Sequence, residues 1–428
     1  MLNVKKVISD SRFRNSIWMI LEKLISLIGM IYVISAMAKY IGAELYGYIA
    51  LAMSIFIIVK SVAQLGLDQI YFKKVSKSKK VSKSILNIII INILSIYLFV
   101  SSLVILFFID DLSFLQSVLI LSIAIANLFQ AIDIRAFHLD AILESKLNVL
   151  SNIFGLVVSL IIRYYIIYNK LNPIFFCIPI ILLTFIPFLI RCCIFKSKKI
   201  LNPGEFNLRH FLRYTKYFYN AGFPLMVSLV SVNIYLQSSN IILGYYGLIK
   251  EVGYYSIAIT LAASWCFIPT TIILSYLPGI YSEKNEELYI NKSATLLRFL
   301  LIINILVIIM LFIVGDLVID YLYGVEYEES KDIFKIALIS SFFSVIGFLF
   351  YRLILKFNGY NFLAKKMLLT CVINIVLAFL FIKYFGVIGA VISIVLTEFF
   401  SNIVFNLFFK KVRIKEIFKL AVLGERKS

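Results

Sequence analysis

Histidine occurs only twice and cysteine five times in the 428 residues. There is no Cys-x-x-Cys and no Cys/His cluster, which excludes both a zinc-site pattern and a disulfide framework. Cys177, Cys192, Cys193, Cys266 and Cys371 all lie in or beside apolar runs, and His138 and His210 stand alone, as interfacial residues rather than ligands. Charge is scarce at 15% of residues, against about 25% in soluble domains. No Walker A loop, Gly-x-Ser-x-Gly elbow or His-Glu-x-x-His pair occurs. The chain alone therefore supplies no ATP-driven step and no familiar hydrolytic centre. Polar stretches long enough for a second, soluble domain are also missing. Without such a domain, the formal net charge of +19 does not indicate nucleic acid.

What is present is apolar sequence. Hydrophobic residues make up 62% of the chain and the mean hydropathy is +0.97. A bilayer core of about 30 Å is crossed by about 20 helical residues. Twelve runs meet that length: 16–39, 46–71, 85–109, 113–138, 147–168, 174–195, 215–246, 253–281, 294–323, 333–357, 363–385 and 387–409. The runs are continuous and rich in Ile, Leu and Phe rather than alternating, which argues against a barrel. The basic N-terminus ahead of the first run (Lys5, Lys6, Arg12, Arg14) resembles a signal peptide. The run is too long for one and lacks a small-residue cleavage site, so it reads as the first span.

Connector charge alternates along the chain. Lys73-Lys74, Lys77, Lys79-Lys80 and Lys83 follow the second span and Asp110-Asp111 the third. Lys196, Lys198, Lys199, Arg209, Arg213 and Lys216 separate the sixth and seventh spans. Asp316, Asp320, Glu326, Glu328 and Glu329 lie around the end of the ninth, and Lys410, Lys411, Arg413 and Lys415 follow the last. With the N-terminus inside, every strongly basic connector is cytoplasmic, which implies both termini inside. The acidic connectors read as solvated outer loops, although they imitate a metal-dependent glycosyltransferase motif. An internal echo supports duplication. Glu44-Leu45-Tyr46-Gly47-Tyr48 and Glu251-Val252-Gly253-Tyr254-Tyr255 follow the first and seventh spans, and with one gap their Glu, Gly and Tyr align. The expected fold is an all-α integral membrane protein. Residues 1–198 form an N-terminal six-helix bundle, 199–214 a basic cytoplasmic linker and 215–428 a C-terminal six-helix bundle. An even number of spans per half relates the halves by a pseudo-two-fold axis along the membrane normal, with a site at their interface.

Ionisable groups inside spans are costly and point to function. Lys60, about 14 residues into the second span, falls near mid-membrane at about 1.5 Å per residue. Glu398 falls halfway along the twelfth span. Glu22 and Lys23 lie a turn or two inside the first, while Asp68, Asp133, Arg135, Arg298 and Arg352 lie near cytoplasmic ends and Arg163 near an outer end. Shallow Arg and Lys can snorkel to the interface, and Glu22–Lys23 and Asp133/Arg135 can neutralise each other. Lys60 either pairs with an acid such as Glu398 or lines a wet cavity. The cavity is preferred, because an unpaired cation in a dry bundle is neutralised or expelled. The seventh span places Asn233, Gln237 and Asn240 at i, i+4 and i+7, hence on one face. Such a stripe serves interhelical hydrogen bonds or a hydroxyl-rich ligand. Pro179, Pro187, Pro224, Pro269 and Pro278 interrupt the sixth to eighth spans and offer bends.

Three segments carry a family resemblance. Ile41-Gly42-Ala43-Glu44-Leu45-Tyr46-Gly47-Tyr48, Ser239–Tyr246 with Glu251–Ser256, and Asn374 through Gly386-Val387-Ile388-Gly389-Ala390 resemble signatures of the polysaccharide flippase branch of the multidrug/oligosaccharidyl-lipid/polysaccharide exporter superfamily. One departure is Asn240, where many relatives carry an acid. The resemblance implies a transporter, not an enzyme. Its substrate is a polyprenyl-diphosphate-linked oligosaccharide, such as an O-antigen repeat unit for lipopolysaccharide, moved from the inner to the outer leaflet of the bacterial cytoplasmic membrane. On this reading Lys60, Lys23, Arg298 and Arg352 meet the diphosphate, and Asn233, Gln237 and Asn240 meet the sugars. Glu398, Asp68 and Glu22 are candidates for ion coupling. No cofactor is expected beyond a coupling proton or Na+. Implied partners are membrane lipids, a polysaccharide polymerase and a chain-length regulator. Two rival readings are a cation-coupled small-molecule antiporter, which favours an acidic cavity, and a membrane-embedded polymerase or glycosyltransferase, which favours a large outer catalytic loop.

Overall fold

The computed structural model describes residues 11–78, 83–108, 112–200 and 208–423, and they contain helices but no strand. Ten helices among them are long and apolar enough to span a bilayer. Helix α1, Ser11–Gln64, has 54 residues, which would reach about 80 Å if straight. It is divided at Gly42, whose backbone is non-helical (φ 81°, ψ 166°). A positive φ of this kind suits a residue without Cβ. Gly386 (φ 57°, ψ −136°) divides Tyr360–Phe399 in the same way. Among the described residues ten helical stretches thereby carry the apolar segments read from the sequence, and the all-α membrane fold holds.

The elements that follow α1 are α2 (Leu67–Ser78), α3 (Lys83–Phe108), α4 (Phe114–Ile132), α5 (Ile134–Ala141), α6 (Ser145–Tyr168) and α7 (Cys177–Ser197). After these come α8 (Leu208–Tyr245), α9 (Ile249–Ser264), α10 (Phe267–Tyr281), α11 (Glu286–Tyr323), α12 (Ser330–Lys356), α13 (Tyr360–Phe399) and α14 (Ile414–Leu423). The second, fourth and eighth spans are not single rods. The second breaks at Leu65 (φ 48°) and Gly66 (φ 66°). The fourth breaks at Asp133 (φ −81°, ψ 58°), and the eighth between α9 and α10. Non-helical backbone at membrane depth frees polar groups and persists where protein or a cavity satisfies them.

The chain forms two compact units: residues 1–41 with 51–233, and residues 42–50 with 234–428. Residues 201–207 of the expected linker lie outside the described residues. In the first unit α6 and α7 pack closely where Pro187 interrupts α7. A Cβ on Gly155 would lie 2.6 Å from the Pro187 ring and 3.2 Å from the Leu183 carbonyl, so only hydrogen fits there. Ser159 Oγ donates to the Pro179 carbonyl (2.9 Å) one turn further on. In the second unit Leu297, Leu300, Leu349, Phe350, Leu353 and Ile417 form one core between α11, α12 and α14. The opposite face of α11 leaves Leu306, Met310, Ile313 and Leu317 exposed at 57–70%. An apolar stripe so open suits lipid rather than water.

The duplicated loops meet inside the second unit. A Cβ on Gly47 would lie 1.9 Å from the Ile249 carbonyl oxygen, and one on Gly253 would lie 2.4 Å from the Ala43 carbonyl oxygen. The contact is self-complementary, as a two-fold repeat requires, with small residues letting two backbones touch. Glu326 Oε1 accepts a hydrogen bond from the Ala43 N–H (2.8 Å). It thereby satisfies a free donor at the helix start after Gly42.

Candidate functional site

Each unit holds one cluster in which buried charged and carboxamide side chains meet. The first-unit cluster surrounds the breaks in the second and fourth spans. The late part of α1 contributes Lys60 and Gln64. α4 contributes Gln130 and ends at Asp133. The opening turns of α6 present Asn148 and Asn152, an i, i+4 pair on one face, and α7 contributes Arg191. These side chains line a cavity of about 270 Å³. Arg191 holds the arrangement together. Its Nη1 donates to Asp133 Oδ2 (2.7 Å), its Nε to Asn148 Oδ1 (3.0 Å) and its Nη2 to Asn152 Oδ1. The planar guanidinium is suited to this, since its donors point in fixed, divergent directions. Asn148 Nδ2 in turn donates to Asp140 Oδ2 (3.1 Å), whose other oxygen accepts from Ser145 Oγ (2.5 Å). Lys60 Nζ donates to Gln130 Oε1 (2.7 Å), and Gln64 Nε2 to the Ala131 carbonyl beside the break (3.3 Å).

Two cations, Lys60 and Arg191, thus face one carboxylate, Asp133, in this cavity. Arg135 lies within electrostatic reach of Asp133 and stacks over Phe188 (5.6 Å). Asp68 lies within reach of Lys60 and accepts from Gln69 Nε2 (3.0 Å). The lining side chains alone carry one net positive charge among carboxamides, with Arg135, Asp68 and Asp140 around them, so the cavity can take an oxyanion or a hydroxylated group. The second span starts at Ala43 and stops at Gln64. Lys60 is therefore one turn, about 6 Å, before the break at Leu65-Gly66, on the side that leads to Lys73-Lys74.

The second-unit cluster lies on the two arms of α13 and the turns after it. Lys366, Thr370 and Asn374 recur at i, i+4 and i+8 on one arm. Facing them are Thr397 and Glu398 on the other arm, then Ser401, Asn402 and Asn406. Lys366 Nζ donates to Asn406 Oδ1 (3.0 Å), Thr370 Oγ1 to Ser401 Oγ (3.1 Å) and Asn374 Nδ2 to Thr397 Oγ1 (3.0 Å). Asn402 Nδ2 and the Tyr235 hydroxyl donate to Glu398. Ser238 Oγ donates to Asn374 Oδ1. A π-helical turn at Phe400–Val404 carries Asn402, which lies against Gly347. Single π turns are frequent at functional sites.

The other expected residues sit elsewhere. Arg298 donates to the carbonyls of Leu420 (2.6 Å) and Ala421 (2.9 Å), closing the end of α14. Arg352 stacks on Phe348 (4.9 Å) and Tyr351 (5.9 Å). Asn233 Nδ2 donates to Ser61 Oγ (2.8 Å), Asn240 Oδ1 accepts from Ser256 Oγ (3.1 Å), and Gln237 is engaged as well. Glu22, Lys23 and His210 have side chains outside the described residues. The partner of Asp133 is Arg191 rather than Arg135, and in its own unit Glu398 has Lys366 as its nearby cation. His138 is fully buried, with Nδ1 at 2.8 Å from the Tyr71 hydroxyl. Arg191, Asn148, Asn152, Lys366 and Asn406 are not among the residues expected from the sequence.

Comparison with solved structures places the fold. Lipid II flippase MurJ in an inward closed conformation aligns with TM-score 0.68 and 17% identity, over 95% of this chain and 89% of that one. An inward-facing multidrug resistance MATE family transporter of the MOP superfamily aligns with TM-score 0.59 and 16% identity, over 93% and 96%. A variant of the Vibrio cholerae MATE transporter VcmN aligns with TM-score 0.53 and 13% identity, over 95% and 98%. No curated protein sequence matches the chain. Residues 13–277, more than half of the sequence, match the family described as polysaccharide biosynthesis protein, and the chain belongs to that family.

Proposed function

We propose that this protein is a flippase that moves polyprenyl-diphosphate-linked oligosaccharide repeat units, of the O-antigen or a related surface polysaccharide, from the inner to the outer leaflet by alternating access. The observation that carries the reading is the cavity lined by Lys60, Arg191 and several carboxamides against one carboxylate, Asp133. A diphosphate cannot enter hydrocarbon unpaired. Lys60 offers a point charge to phosphate oxygens, and Arg191, held by Asp133, Asn148 and Asn152, adds a fixed positive charge to the lining. Gln64, Gln130 and Asn152 offer amides to sugar hydroxyls. A cavity of about 270 Å³ suits a headgroup fragment, while the polyprenyl tail stays in lipid. The family's link to polysaccharide synthesis and the flippase fold support the same direction.

The membrane is the bacterial inner membrane, with both termini and the basic connectors in the cytoplasm. The break one turn after Lys60 then leads to the basic connector on the side of the leaflet where the lipid-linked substrate is made. An inside-negative potential assists outward movement of an anion by about 2.3 kcal/mol per charge per 100 mV, and exchange with a cation or proton is a further source. A polymerase and a chain-length regulator would act on the delivered product. The test is leaflet accessibility of a lipid-linked glycan in vesicles containing the wild type, Lys60→Ala or Lys60→Arg. Alanine should abolish transport and arginine largely retain it. Full activity of the alanine variant would remove the cavity from the path. Transport of organic cations instead of the glycan would favour an antiporter, and lengthening of the glycan by purified protein would favour an enzyme.

A further inference from the structure

We propose that Lys366 is a built-in counter-cation for Glu398, taking the position that a dissociable Na+ would otherwise occupy in the second unit. The proposal concerns the ion and stands whatever the cargo is. Both groups are buried, Lys366 at 4% exposure and Glu398 at 6%. A carboxylate in a lipid-embedded bundle needs a compensating positive charge. Lys366 reaches it through two carboxamides rather than by direct contact. Its Nζ donates to Asn406 Oδ1 (3.0 Å), Asn406 Nδ2 donates to the Asn402 carbonyl (2.8 Å), and Asn402 Nδ2 donates to Glu398.

The other titratable groups facing Glu398 are Tyr235 from α8, Tyr255 from α9 and Cys266 just before α10. All are uncharged at neutral pH. The cluster therefore holds one cation and one anion. Adding Na+ would leave an excess charge in a region that water does not screen. The amide oxygen of Asn406, the natural companion to the carboxylate in an oxygen cage, is already used by the ammonium. Shortening Lys366 would free that oxygen and strand Glu398, and so create the site that the lysine fills.

The test uses the full-length protein purified in detergent and melted in NaCl or in choline chloride of equal ionic strength. The wild type should melt at the same temperature in both salts. Lys366→Met should melt higher in NaCl, with a rise of about 3–6 °C per tenfold increase in Na+ once the site fills. Lys366→Met/Glu398→Gln should lose that preference. Recovery of Lys366→Met only when it is prepared in NaCl supports the proposal equally. Selective stabilisation of the wild type by Na+ overturns it. So does a Lys366→Met protein indifferent to Na+, or a Na+ response that survives in the double variant. If Lys366→Met folds in neither salt while the double variant folds in both, no external cation replaces the lysine and the proposal fails.

Discussion

Replacing Arg191 with alanine tests the first-unit cavity through its stability. The guanidinium supplies three donors to three oxygens, on Asp133, Asn148 and Asn152. The Asp133–Arg191 side chains are 8% and 5% exposed, so solvent screening offers little relief. Removing one partner of a buried ion pair leaves the other uncompensated, at a cost of about 3–5 kcal/mol. Arg191→Lys keeps the charge and one bond to Asp133 but not the fork. Losing two amide bonds of about 1 kcal/mol each predicts a cost of about 2 kcal/mol. Replacing both partners, as in Asp133→Leu/Arg191→Met, should recover most of the loss, because two apolar groups need no partners. The assay is unfolding of the purified protein, followed by glycan translocation with each variant that folds. The expected order of stability is wild type, double variant, lysine variant, alanine variant. Translocation should fail in the double variant even though it is folded. An alanine variant within about 0.5 kcal/mol of wild type, the range of ordinary surface substitutions, would refute the assignment of Arg191 as the hub.

Gly47→Ala should destabilise by about 1–3 kcal/mol through overpacking, since its Cβ would lie 1.9 Å from the Ile249 carbonyl oxygen. Gly279→Ala is the control: nothing lies within 4 Å of that Cβ, so it should be neutral or slightly stabilising by thermal melting. Arg298→Ala should release α14, exposing residues after 413 to limited proteolysis, because two carbonyls at the helix end lose their donor. Translocation should persist in that variant, and its loss would return Arg298 to the substrate path.

The twelve spans were legible because apolar length alone sets them, and Gly42 and Gly386 marked their divisions. Lys60 stood out as a lone cation in an apolar run. The break at Leu65 and Gly66, one turn beyond it, was not legible, because the hydropathy does not fall there. Arg191 was overlooked two turns from a basic connector, where snorkelling is the ordinary fate of an arginine. Only the opposed Asn148/Asn152 pair hints that it turns inward. Arg135 does lie within electrostatic reach of Asp133, but the ion pair is made by Arg191, 58 residues away, which local sequence does not reveal. Lys366, inside the run 363–385, was not singled out. The repetition of polar residues at 366, 370 and 374, matched by 398, 402 and 406, was the available signal. Which ladder faces which is a tertiary fact that no single segment encodes.

The two polar clusters differ in a way that separates their roles. The lining of the first-unit cavity is unbalanced, with Lys60 and Arg191 against Asp133, and Gln130 beside Lys60 is exposed. An excess cation with an open approach can accept an anion and release it, since the group it lacks is supplied from outside. The second-unit cluster is balanced and closed: its lysine, its acid and four of the surrounding residues, Thr370, Asn374, Thr397 and Asn406, are all buried. A neutral, sequestered network gains nothing from binding another ion, but it responds strongly to losing or gaining one charge. Neutralising Asp133 with Asp133→Asn should therefore raise anion affinity in the first unit, by leaving two cations unopposed, and slow release of the glycan. Neutralising Glu398 with Glu398→Gln should leave anion affinity unchanged and act on stability instead. Measuring glycan binding and melting temperature for both variants separates the roles, and the same change in both assays for both variants would mean that the clusters are not distinct.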